Sequence, residues 1–189
     1  LDRAVEAIGS REYWTPFAES PSPKIYGEGA AEAGKAKYDA VLNRRFPLTQ
    51  PATIGQVGSE QSPYGIRLGV TYPKPDIDGL MAAVEAAEAS WRKAGPEAWV
   101  GVSLEILDRI NKASFEIANA IMHTTGQAFV MSFQAGGPHA QDRGLEAVTY
   151  AWDQMRRVPT QARWEKPQGK NEPVRMDKRF RIVPRGVAL

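Results

Sequence analysis

The hydrophobic pattern changes period once along this chain, and that change limits the architectures open to it. Across residues 76–158 apolar residues recur at spacings of three and four, the mark of helices with one apolar stripe. From about residue 159 the pattern becomes alternation, the mark of strands. Asp76 is placed to cap the first helix, whose stripe is Ile77, Leu80, Met81, Val84, Ala87 and Trp91. Gly95 ends that helix, and Pro96, tolerated in a first turn, opens the second. Val100, Leu104, Leu107 and Ile110 form its stripe. A third runs through Phe115, Ala118, Ile121 and Met122 to Gly126; Gly136-Gly137-Pro138 reads as a loop; Leu145, Val148, Trp152 and Met155 mark a fourth. Four amphipathic helices need a partner surface, supplied by one another and by the C-terminal segment.

Two segments around a turn at Pro167–Pro173 read as strands, Gln161–Lys166 and Val174–Val183. Pro184 and Gly186 interrupt the second before Val187-Ala188-Leu189, an apolar run that reads as the start of a buried strand. An ending of that kind predicts that the 189 residues are a piece of a longer protein. Residues 1–75 read as largely irregular, with one Ala-rich helix from about Gly27 to Arg45 ended by Phe46-Pro47. Ser20-Pro-Ser-Pro23 reads as extended, since each Pro fixes φ and pushes its predecessor out of the helical region. Ile66, Leu68 and Val70 suggest a strand, and Tyr72-Pro-Lys-Pro75 a turn. The expected fold is mostly α with C-terminal β-strands, in three parts: 1–75, 76–158 and 159–189.

The chain has no cysteine. That excludes disulfides, thiolate zinc sites and a cysteine nucleophile within this segment, and points to a cytoplasmic setting. No run of about 18 apolar residues exists, so no membrane span is expected, and residues 1–6 lack the layout of a signal peptide. The net charge of +2 is unevenly spread: residues 156–189 hold ten Lys/Arg against three Asp/Glu, leaving +7 there and −5 in the remainder. Those basic residues alternate with apolar ones, which favours a solvated strand face over a surface for nucleic acid. An interaction module whose basic strands bind nucleic acid or an acidic partner is the alternative reading.

Candidates for chemistry are sparse. His123 lies near a helix C-terminus, where the dipole favours its charged form; as a general base it lacks a visible partner. His139 could share a metal with His123 and Asp142, but two histidines sixteen apart are poor ligand spacing, so a loop or N-cap role is expected. Gln168-Gly169-Lys170 lacks the upstream Gly and following Ser/Thr of a phosphate loop. Gly27-Glu28-Gly29 lacks the third Gly and preceding strand of a dinucleotide turn. Glu60 stands in a turn-rich segment where it can accept backbone N–H bonds. No serine is seen beside a histidine and no carboxylates pair. Trp14, Trp91, Trp99 and Trp152 read as core or interface anchors, and Trp164, on a basic strand, as an oligomer contact.

The order of elements over residues 76–189 resembles the N-terminal part of an NAD(P)-dependent aldehyde dehydrogenase. Ala86-Ala-Glu-Ala-Ser-Trp91 resembles that family's Ala-x-x-Ala-x-x-Trp helix end with one residue fewer before the Trp, and Leu107-Asp-Arg-Ile110 matches its Leu-x-x-Ile. Thr125-Gly126-Gln127 stands where the family has Thr-Gly-Lys, and Pro184-Arg-Gly186-Val187 is similar to its Pro-x-Gly-Val. Tyr13-Trp14, Glu19-Ser-Pro-Ser-Pro-Lys24, Tyr26-Gly27, Glu60-Gln-Ser-Pro-Tyr-Gly65, Tyr72-Pro73, His123-Thr-Thr-Gly-Gln-Ala128, Gln134-Ala-Gly-Gly-Pro-His-Ala-Gln-Asp-Arg-Gly144 and Ala162-Arg-Trp-Glu-Lys-Pro-Gln-Gly169 further resemble the PaaN branch of phenylacetic acid degradation proteins, which also has Gln at position 127. The resemblance implies the N-terminal portion of the α/β aldehyde dehydrogenase fold. It implies a mechanism in which a Cys thiolate attacks the aldehyde, hydride passes to NAD or NADP, a Glu activates water, and an Asn and a backbone N–H hold the oxyanion. None of those motifs falls within residues 1–189, so no catalytic, cofactor-binding or metal residue is assigned, and no cofactor is expected on this chain alone. The implied partners are the remainder of the same polypeptide and further copies of it, met through Trp164 and residues 174–183, with neither nucleic acid nor membrane.

Overall fold

In the computed structural model, which describes residues 1–186, helices α1 (Asp2–Ser10), α2 (Pro23–Tyr26) and α3 (Ala30–Val41) precede an antiparallel pair, β1 (Thr53–Val57) and β2 (Tyr72–Pro75). Helices α4 (Ile77–Ala94), α5 (Pro96–Lys112), α6 (Ser114–Thr125), α7 (Phe129–Gln134) and α8 (Ala140–Met155) come next, and an antiparallel hairpin of β3 (Gln161–Gln168) and β4 (Asn171–Arg179) comes last. The architecture is mostly helical with C-terminal strands, as the change of period predicts. The apolar run Val187-Ala188-Leu189 lies outside the described residues.

Local chemistry sets the helix boundaries. The Asp76 carboxylate accepts the Gly79 N–H at 3.1 Å, satisfying one of the free donors of the first turn. Gly95, at φ +85°, separates α4 from α5, and Pro96 takes the first turn of α5. Gly126 closes α6 in the left-handed region, its N–H bonded to the Met122 carbonyl, a standard glycine C-terminus.

Two apolar clusters hold the helices together. Ala4 of α1, Phe17, Leu107 of α5 and Leu145 of α8 form one, with Trp14 and Leu104 against it. Phe115 and Ala118 of α6 and Phe133 of α7 form the other, with Tyr26, Ala30 and Phe129 around them. Here Tyr26 meets Phe115 and Phe133 edge-on, at 5.5 and 5.4 Å between ring centres, the arrangement aromatic quadrupoles favour. A buried polar seam joins the two clusters: Asn111 Nδ2 donates to Gln141 Oε1 at 2.8 Å, and Gln141 Nε2 donates to Ser114 Oγ at 3.3 Å.

Several local expectations are corrected. Residues 1–75 contain α1 and the single turn α2 besides α3. Pro23 opens α2 after the Ser22 cap rather than ending an extended stretch. Ile66–Val70 forms no strand, because Gly65 and Gly69 adopt positive φ and the Leu68 carbonyl accepts the Asn43 N–H at 2.7 Å. The strand is instead Tyr72–Pro75, where Pro73 and Pro75 are tolerated because a two-stranded ladder leaves one edge free. Gly136-Gly137-Pro138 is no loop: α7 continues through a π-turn, Ala135–His139, into α8, with the kink at Gly137. A Cβ at Gly136 would lie 3.1 Å from Ile117 Cγ2 and run into Ile121, so this glycine serves close approach to α6. The second hairpin strand stops at Arg179, and the turn narrows to Gly169-Lys170.

Candidate functional site

His123 ends up beside a serine. From the last turn of α6 its Nδ1 lies 3.2 Å from Ser62 Oγ, and both residues are buried. Tyr38 of α3 stacks on the imidazole, with ring centres 5.2 Å apart and planes 5° from parallel, and Tyr64 meets it edge-on at 5.8 Å. Sequence reading missed this pair because 61 residues separate its members. Ser62 Oγ also accepts the Tyr64 N–H at 3.2 Å, and Tyr64 Oη donates to the Gly126 carbonyl at 2.8 Å. The serine is thus committed to the turn, and the cluster fastens residues 62–64 onto the end of α6.

His123, His139 and Asp142 each turn to a different partner. His139 Nε2 lies 3.2 Å from Glu19 Oε1, Asp142 accepts a hydrogen bond from Thr15, and His123 faces Ser62. His139 thus stands at the N-cap position of α8, as expected, but its side chain makes no cap hydrogen bond; the ring instead anchors the segment after Phe17 through Glu19. Among the described residues no group of three His, Asp or Glu could hold a metal ion. Gly27 and Gly29 flank α2 and α3 with nothing near their absent Cβ positions, and Gly169 turns the second hairpin.

Next to the His123 cluster lies a cleft of about 180 Å³ between α3, α6 and the stretch 68–72. Tyr38, Phe46 and Tyr72 supply aromatic walls, Leu68 and Val70 an apolar floor, and Glu60 and Glu116 carboxylates. Glu60 makes none of the backbone contacts expected of it among the described residues; it is exposed beside the cleft. Burial pushes the Tyr72 phenol up, with the Glu60 charge adding to it. Burial raises Tyr38 likewise, with Asp39 and then Tyr72 contributing. The Tyr38 hydroxyl is buried and has no hydrogen-bond partner, a costly state for a polar group.

The second hairpin has two unlike faces. Arg163 pairs with Asp177 and Arg175 with Glu165, directly across the ladder on one face. The other face carries Trp164 opposite Met176 and Lys166 opposite Val174. Trp164 is 38% exposed and Met176 49%, so the apolar face is open as well as the charged one. Lys178 lies 5.1 Å over the Trp164 ring. Helix α4 is similarly bare. None of its residues is buried, and Ile77, Val84 and Trp91 of its stripe are exposed. Trp99 Nε1 donates to the Trp91 carbonyl at 2.7 Å, which ties the end of α4 to α5 and leaves the Trp91 ring outward.

Fold and surface together define a helical scaffold with a projecting β-arm and two open apolar faces. Such a unit is found in a known enzyme. The chain is 62% identical to the NAD-dependent aldehyde dehydrogenase from Burkholderia multivorans, whose crystal structure it matches with a TM-score of 0.93. The match covers 97% of this chain and 33% of that one, so the chain spans about a third of the enzyme's length and shares the fold of that third. No family model and no curated protein matches it.

Proposed function

We propose that this chain is the N-terminal scaffold and assembly portion of an NAD(P)-dependent aldehyde dehydrogenase of the PaaN branch, an oxidoreductase of phenylacetate catabolism acting in the cytoplasm. One observation carries the reading: 62% identity over nearly the whole chain to one third of an aldehyde dehydrogenase. The residue-level resemblances at Glu60–Gly65, His123–Ala128 and Gln134–His139 carry the narrower assignment to that branch. Residues 1–75 form the branch-specific extension, 76–158 the helical layer, and 159–189 the strand pair leading to the dinucleotide-binding sheet.

On this reading the chemistry belongs to the rest of the polypeptide. There a thiolate adds to the aldehyde, hydride passes to NAD(P)+, and water releases the acid. This portion, which has no cysteine, contributes surface. The bare face of α4 receives the cofactor-binding part, and the apolar hairpin face with Trp164 and Met176 receives another copy. Charge favours this use of the hairpin over nucleic-acid binding. Of the ten basic residues after position 155, Arg156 and Arg157 pair with Asp153, Arg163 with Asp177 and Arg175 with Glu165. No helix among the described residues is long and apolar enough to cross a membrane.

The test compares the purified 189-residue chain with the product of the longer reading frame. NAD(P)H formation is followed with aldehydes of the kind that ring opening yields. Turnover by the longer protein and none by the chain alone is expected. Turnover by the chain alone, or a frame that stops at Leu189, overturns the proposal.

A further inference from the structure

We propose that the cleft between α3, α6 and residues 68–72 is a binding site for a small organic ammonium ion with a one-ring apolar body. The inference does not depend on the enzyme reading above.

Three observations converge on it. The first is wall chemistry. Tyr38, Phe46 and Tyr72 line one cleft, with Phe46 and Tyr72 in ring contact at 5.6 Å. Aromatic faces attract cations, ammonium groups above all. The second is charge. Glu60 and Glu116 both border the cleft, and no Lys or Arg lines it. Among the described residues neither carboxylate is in an ion pair, although ten other acid–base pairs form. Two unneutralised carboxylates beside an apolar recess repel an anion and attract a cation. The third is the Tyr38 hydroxyl. It belongs to a cleft-lining residue that is only 6% exposed, and it has no partner. Native structures rarely leave such a group unsatisfied, and an ammonium donates to a phenol oxygen.

Size narrows the class. The cleft holds about 180 Å³, below the roughly 300 Å³ at which pockets for drug-sized ligands begin. It has room for a single ring and a short amine, and none for a dinucleotide. Leu68 and Val70, both buried, give the ring an apolar bed.

The experiment is a calorimetric titration of the full 189-residue chain with benzylammonium, benzyl alcohol and benzoate, which share a shape and differ in charge. Benzylammonium is expected to bind, benzyl alcohol about tenfold more weakly, the size of one cation–π contact plus one exposed ion pair. Benzoate is expected not to bind. Glu60→Gln together with Glu116→Gln should erase the preference for the ammonium. Glu60 is exposed, so Glu60→Gln alone keeps the fold and should weaken binding in part. Tyr38→Phe should bind the ammonium several-fold more weakly while melting no lower than the parent, a combination that a purely structural tyrosine would not give. Absence of benzylammonium binding, equal affinity for benzyl alcohol, or binding unmoved by all three variants overturns the proposal.

Discussion

Gly34 shows how the absence of a single side chain sets the spacing of two helices. It is buried on α3, where a Cβ would run into the Phe115 side chain and lie 3.0 Å from the Glu116 backbone nitrogen. Helix propensity alone makes Gly34→Ala stabilising by about 1 kcal/mol. The opposing obstacle is backbone, which cannot swing aside, and overpacking of this kind costs about 1–3 kcal/mol. The clash wins, so Gly34→Ala should lower the midpoint of urea unfolding; a raised midpoint would mean that α3 slides freely on α6. Gln141 raises the same question for polar atoms. It is 1% exposed and bridges Asn111 and Ser114. Gln141→Ala strands the Asn111 amide and should cost about 1–3 kcal/mol, read from the same unfolding curves. Neither role was legible in the sequence, where Gly34 is one small residue in an Ala-rich helix and Gln141 one polar residue near a helix start. The Ser62–His123 pair was hidden for a related reason, since a contact across 61 residues leaves no local spacing to read.

At the scale of elements, periodicity reads well where one helix face is buried and poorly where short segments meet. The α4, α5, α6 and α8 stripes, the Asp76 cap and the Gly126 end all follow from spacing and capping chemistry. By contrast α1, α7 and the β1–β2 pair are short, and prolines or glycines in or beside them carry turn signals that tertiary contacts override. Gly136-Gly137-Pro138 has the composition of a loop and the role of a helix kink, which only the neighbouring α6 explains. Three elements of the N-terminal part share a chemical vulnerability. Tyr26 on α2, Tyr38 on α3 and Tyr72 on β2 each have a phenol pushed above its ordinary value of 10.0, with burial as the largest cause. For Tyr26 a hydrogen bond with Asn111 pulls weakly the other way. A raised folded-state value means that the unfolded chain ionises first. Stability from these groups is therefore complete below about pH 10 and is lost as pH rises through the folded-state values. Base should loosen α2, α3 and β2 from α6 before it disturbs the α5–α8 contact. Tyrosinate absorbance and hydrogen exchange, followed together, should show late ionisation coupled to exchange in residues 23–75. Ionisation at the ordinary value with unchanged exchange would contradict the coupling.

For the whole molecule, the informative quantity is apolar surface left without a partner. A chain with its own core usually hides its helix stripes, and here α5, α6, α7 and α8 do so in two clusters. The α4 stripe and the hairpin face of Trp164, Val174 and Met176 stay open. Exposed contiguous apolar surface marks interaction sites, and the two faces differ in what they can accept. The hairpin is a two-stranded ladder, so its edges still hold free backbone donors and acceptors that favour another strand. On the assembly proposed above, a second copy seated on that face would bury Trp164, the residue type that most often dominates an interface. The ion pairs Arg163–Asp177 and Arg175–Glu165 stay on the opposite face, so they are indifferent to that burial. Substituting both Trp164→Ser and Met176→Ser should therefore weaken self-association at least tenfold, the scale of one lost aromatic anchor. Removing the charge pairs with Asp177→Asn and Glu165→Gln should change it little. Sedimentation equilibrium over a range of concentrations separates the outcomes. If the charge variants dissociate the assembly and the apolar ones do not, the contact lies on the charged face. If neither pair of substitutions has an effect, copies meet through α4, and Val84→Ser with Trp91→Ser becomes the pair that breaks them apart.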